Sequence, residues 1–143
     1  MAGTGMAQPA SEGGQKFAMV LIPGTTGDPN ASGTVDLTIN PGQERICWEL
    51  TTSGVNAGYS IVAGTGAHIH GPSPLVNLGL VLNGTSTGCS TVPRSTIDAI
   101  LKNPELYYVN LHWADVTEPI TLPSYSASAL SATLTKRPLK SND

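Results

Sequence analysis

Charge is scarce in this sequence. Asp, Glu, Lys and Arg make up 12% of its 143 residues, against about a quarter in an ordinary globular protein. Basic residues number seven, the net charge is −3, and the only basic cluster is Lys136, Arg137 and Lys140 near the end. A protein that grips phosphate backbones needs a basic face, so nucleic-acid binding is set aside. Long apolar runs are missing too. None approaches the ~20 residues of a membrane-spanning helix, and no membrane span is expected. Aromatic residues are 5% of the chain, too few for a stacking platform of the sugar-binding kind. Only two cysteines occur, Cys47 and Cys89, with no C-x-x-C spacing of a zinc site. Only three histidines occur, His68, His70 and His112.

Gly, Ser and Thr fill the place that charge leaves, a mix that favours short strands and turns over solvent-facing helices. Residues 1–15 are Gly-, Ala- and Ser-rich without an apolar stretch and read as a flexible leader. Residues 16–135 read as one domain, which suits this length, and 136–143 as a loose tail. Val35, Leu37 and Ile39 alternate with Thr34, Asp36 and Thr38. After the turn at Asn40-Pro41-Gly42, Ile46, Trp48 and Leu50 alternate with Cys47 and Glu49, so 33–39 and 44–53 form a hairpin. Further strands are expected at 17–22, from Tyr59 to His70 after a glycine interruption, and at 76–82, 88–92, 106–113 and 125–134. One helix is expected, with Ser95 as its cap, Asp98 at the capping-box position, Ile97, Ile100 and Leu101 as its apolar stripe, and Asn103-Pro104 as its stop. Seven or eight short strands about ten residues apart point to an all-β Greek-key sandwich or barrel, immunoglobulin-like or superoxide-dismutase-like, with one short helix.

The two cysteines lie in separate strands and their number is even. A disulfide, and with it an oxidising compartment, is the favoured expectation; two unrelated buried thiols are the plain alternative. Two glycosylation sequons start at Asn30 and Asn83.

His68-Ile69-His70 is the spacing that carries chemistry. Residues i and i+2 of a strand share a face, so both imidazoles leave together. In the later strand Val109, Leu111 and Trp113 form the apolar face, and Asn110 and His112 the other. Ala67 and Ile69 point inward from the first strand. All three histidines therefore sit on non-core faces, and if the two strands are neighbours they converge on the outer surface of the sheet. Imidazole suits copper, zinc and nickel, and the absence of clustered carboxylates argues against a hard cation such as calcium. Tyr108, Asn110, Asp115 and Glu49 are candidates for a supporting role around the rings. A metal-free alternative uses one imidazole as a general base oriented by Asp115, Glu118 or Glu49. The plainest alternative has the histidines as hydrogen-bonded structural residues.

Ala67-His68-Ile69-His70-Gly71-Pro72, followed by Asn103-Pro104-Glu105-Leu106-Tyr107-Tyr108-Val109-Asn110-Leu111-His112, closely resembles the CHRD (chordin-type) domain. The early hairpin, with Ile46-Cys47-Trp48-Glu49-Leu50, and the Ser86-Thr87-Gly88-Cys89 segment extend the resemblance over roughly Phe17 to Leu134. It implies an exported β-sandwich, secreted, periplasmic or at the cell surface. It also brings a likeness to the Cu/Zn superoxide dismutase sandwich, whose copper is held by an H-x-H strand and further histidines. On that likeness His68, His70 and His112 hold copper, ahead of zinc. The sequence has no fourth histidine and no acidic zinc subsite, and Ser126-Ala127-Ser128-Ala129-Leu130 stands where the family has a Gly-Glu-Ile-Arg-Gly-like strand. Three functions follow: a copper-handling protein, an enzyme using the same pocket as a copper dismutase or an acid/base catalyst, or a metal-free extracellular interaction module.

Overall fold

A computed structural model describes residues 14–24, 28–61, 66–72, 76–115 and 130–134. In chain order its strands are β1 (Gln15–Pro23), β2 (Ser32–Asn40), β3 (Arg45–Ser53), β4 (Tyr59–Ile61), β5 (Ala67–His70), β6 (Val76–Leu78) and β7 (Gly84–Thr91). The helix α1 (Arg94–Lys102) and a 3-10 turn (Pro104–Leu106) come next, then β8 (Tyr108–Leu111), β9 (Trp113–Asp115) and β10 (Leu130–Thr133). Eight strands form one antiparallel sheet in the order β6-β5-β8-β10-β1-β2-β3-β7, and β4 pairs with β9 apart from it. The sheet curls until β6 approaches β7, where the Ser90 hydroxyl donates to the Asn77 carbonyl at 2.8 Å. The result is a nearly closed barrel of the all-β class. β1–β2–β3 is a meander, and β10 returns to lie beside β1, the spatial order of a Greek key.

Alternation decides which side chains fill the barrel. Phe17, Met19 and Leu21 of β1, Val35, Leu37 and Ile39 of β2, Ile46 and Leu50 of β3, Ile69 of β5, and Val109 and Leu111 of β8 are buried together. Each fully buried apolar side chain contributes roughly 1.5–3 kcal/mol. The intervening residues face outward. Cys47 and Cys89 are directly opposed on β3 and β7 and form a disulfide.

The β2–β3 hairpin follows the expectation, with its loop closed by Glu44 at φ 51° and by the Gln43 N–H on the Asn40 Oδ1 at 3.1 Å. Several boundaries differ. The strand expected to run from Tyr59 to His70 is two strands in different sheets, β4 and β5. The strand expected at 76–82 stops at Leu78, because the chain must turn through Asn83 at φ 52° to enter β7. Asn83 is a clasp: its Oδ1 accepts from the Val55 N–H at 2.8 Å and its Nδ2 donates to the Val55 carbonyl at 2.7 Å. Helix α1 is capped by Pro93, without a side-chain hydrogen bond. Ser95 falls inside the first turn, since the proline's fixed φ starts the helix two residues earlier than a Ser95 cap would. Asp98 reaches Arg94 at 3.8 Å instead of the backbone. Ile97 and Ile100 are buried as the stripe requires. The expected strand 106–113 breaks at His112, where the chain leaves β8 for β9. Residues 1–13 of the expected leader, the tail, Glu118 and residues 125–129 of the expected last strand lie outside the described residues, and Gln15, placed in the leader by the sequence, already belongs to β1.

Candidate functional site

The site forms where β5 and β8 pair. Ala67 faces Leu111, His68 faces Asn110, Ile69 faces Val109, and His70 faces Tyr108. Ala67, Ile69, Val109 and Leu111 point into the barrel and are buried there, so the pleat sends His68, His70, Tyr108 and Asn110 to the outer face. His112 continues that face by one residue: its N–H donates to the Gly66 carbonyl at 2.8 Å. It stands at the point where the strand changes partners, for Trp113 pairs with Ile61 of β4. The two sequence motifs are also locked together through Gly71, where a Cβ would collide with the Tyr107 ring.

His68 has each of the other two imidazoles beside it. The His68 ring centroid lies 4.9 Å from that of His112, with 23° between the planes, and 5.7 Å from that of His70. The Tyr108 ring stacks on His70 at 5.1 Å and 29°. With metal–nitrogen bonds of about 2 Å, and the centroid roughly 1 Å beyond each nitrogen, rings sharing one ion have centroids roughly 4.5–6.5 Å apart. Both measured separations fall in that range. Among the described residues, however, no three His, Cys, Asp or Glu side chains stand as a ready metal-holding group.

The expected outer-surface position needs a correction. The rings are on the outer face of the barrel, yet His68 and His112 are only 5% and 8% exposed, and Asn110 6%. Residue alternation gives the face of a side chain but not its exposure. His70, at the end of β5, is half-buried. Burial has an electrostatic consequence. Desolvation, reinforced by the neighbouring His112 and His70, lowers the His68 pKa from 6.5 to about 4. His68 is therefore neutral at physiological pH, the form in which imidazole ligates metals.

The supporting residues divide. Tyr108 and Asn110 are where the sequence placed them, on the histidine face. Glu49 is elsewhere: on β3 it faces Asp36 and Thr87, with β10, β1 and β2 between it and β8. Alternation gave its face but could not give its distance along the sheet. Asp115 pairs through its backbone with Tyr59 at the end of β9. Sequence reasoning missed two neighbours, the Gly66 carbonyl and Asn77, which faces His68 from β6. Neither carries a sequence signal, because both are defined by register.

An all-β, disulfide-bonded barrel with histidines of two paired strands gathered on one face is the class that fold and site define. Residues 13–118 match the family described as CHRD domain. The chain belongs to that family, and the match spans all three histidines and both cysteines. No curated protein and no solved structure matches the chain. No helix among the described residues is long and apolar enough to cross a membrane.

Proposed function

We propose that this protein binds one copper ion through His68, His70 and His112, outside the cytoplasm, and serves copper handling or redox chemistry. The supporting observation is the distance of the His68 ring from both other rings, 4.9 and 5.7 Å, across the β5–β8 pair. A site of imidazoles alone favours copper or zinc over hard cations, and the neutral state of His68 removes proton competition at that ligand. The disulfide supports an exported protein, secreted, periplasmic or at the cell surface, since such bonds persist in oxidising compartments. Elemental analysis and an electron paramagnetic resonance spectrum after copper exposure and desalting test this. One copper per chain with nitrogen hyperfine structure is expected; metal-free protein overturns it. Superoxide turnover above that of free copper would extend the reading to an enzyme.

A second reading rests on the small angle between the His68 and His112 planes, 23°. Stacked rings pack against each other without a shared ion, and the protein is then a metal-free extracellular interaction module. The same elemental analysis separates the two.

A further inference from the structure

The disulfide is asymmetric in a way that selects one sulfur for chemistry. Cys47 is 6% exposed, whereas Cys89 is exposed. On the outer face, Lys16, Thr38, Cys47 and Cys89 form one row across β1, β2, β3 and β7. Thiol–disulfide exchange is an in-line displacement, in which the thiolate approaches one sulfur from the side opposite the other. The approach to Cys47 runs over β2 and meets Thr38. The approach to Cys89 runs over the outer edge of β7, whose only hydrogen-bonded strand neighbour among the described residues is β3. Beyond that edge the Ser90 side chain bonds Asn77, and the disulfide itself borders an open depression of about 510 Å³ lined by Lys16, Asp36, Thr38, Cys47, Glu49 and Cys89. No residue of the proposed copper site takes part.

We propose that the Cys89 sulfur is a thiol-exchange site for small thiols and for exposed protein dithiols. A thiolate forms a bond to Cys89 Sγ, the Cys47–Cys89 bond breaks, and the electron pair leaves on Cys47 Sγ, which takes up a proton. A second thiolate then attacks the incoming sulfur and releases the Cys89 thiol. Two thiols become one disulfide, and the protein disulfide becomes two thiols. β7 stays hydrogen-bonded to β3 throughout, so exchange takes place on the folded protein.

Native protein is treated with glutathione for short times, quenched in acid, alkylated, and mapped by peptide mass spectrometry. The expected product carries glutathione on Cys89 and the alkyl group on Cys47, at least ten-fold over the reverse isomer, at a rate linear in thiol concentration. Equal adducts on both cysteines overturn the proposal. So does a rate that levels off at the global unfolding rate measured in parallel, which places the reaction in the unfolded chain.

Discussion

His68 and Asn110 face each other across β5 and β8, and this one pairing brings the H-x-H motif beside the second histidine motif. Shifting the register by one residue would send His112 to the barrel interior and Leu111 to the outside. Val109 and Leu111, both fully buried, hold the register against that slip.

Acid should destabilise the apo-protein through His68. Its folded pKa is about 4 against 6.5 ordinarily, so between those values the unfolded chain binds more protons. Stability is then full above about pH 6.5 and falls as the pH drops toward 4, by on the order of 3 kcal/mol at most. Urea unfolding at pH 7.5, 5.5 and 4.5 measures this. His68→Gln should flatten the slope in that window.

The disulfide closes a loop between residues 42 apart in sequence. Loop-closure entropy gives it about 4 kcal/mol. Cys47→Ala with Cys89→Ala should lower the urea midpoint accordingly while leaving the β-sheet circular dichroism in place. Retention of the wild-type midpoint would show that the unfolded chain gains little freedom.

Asn83 holds its φ of 52° and two hydrogen bonds to Val55. Asn83→Ala loses both bonds and places a Cβ residue without a compensating side chain in the left-handed region, a cost of roughly 2–3 kcal/mol. Asn83→Asp keeps the acceptor but sets a carboxylate oxygen against the Val55 carbonyl where the amide donates, and should cost at least as much. The side chain is engaged in the folded protein, so the sequon at Asn83 is not a free acceptor there.

Tyr108 covers His70 by stacking at 5.1 Å. Tyr108→Phe should preserve stability, whereas Tyr108→Ala should lose the ring contact, worth roughly 0.5–1.5 kcal/mol beyond buried area. Chemical denaturation of the two variants side by side distinguishes stacking from a role of the hydroxyl.

Alternation made much of this legible before any coordinates. It put Val35, Leu37 and Ile39 inside and placed His68, His70, Asn110 and His112 on non-core faces. These are local properties of a period-two chain. The sequence did not reveal which strand lies next to which. That is why Glu49 was drawn into the site although three strands separate β3 from β8. Nor did it reveal that His68 and His112, on an outer face, are shielded from water. The Ser95 cap failed because the backbone constraint of Pro93 acts before side-chain preference.

The copper assignment is tested most directly by calorimetric titration of apo-protein with copper against His68→Ala, His112→Ala and His70→Ala. The account predicts one equivalent bound by the wild type, with stability raised by about 2.7 kcal/mol at a hundred-fold excess over Kd, and loss or marked weakening of that event in each of the three variants. A wild type and a His68→Ala/His70→Ala double variant that titrate alike would contradict it.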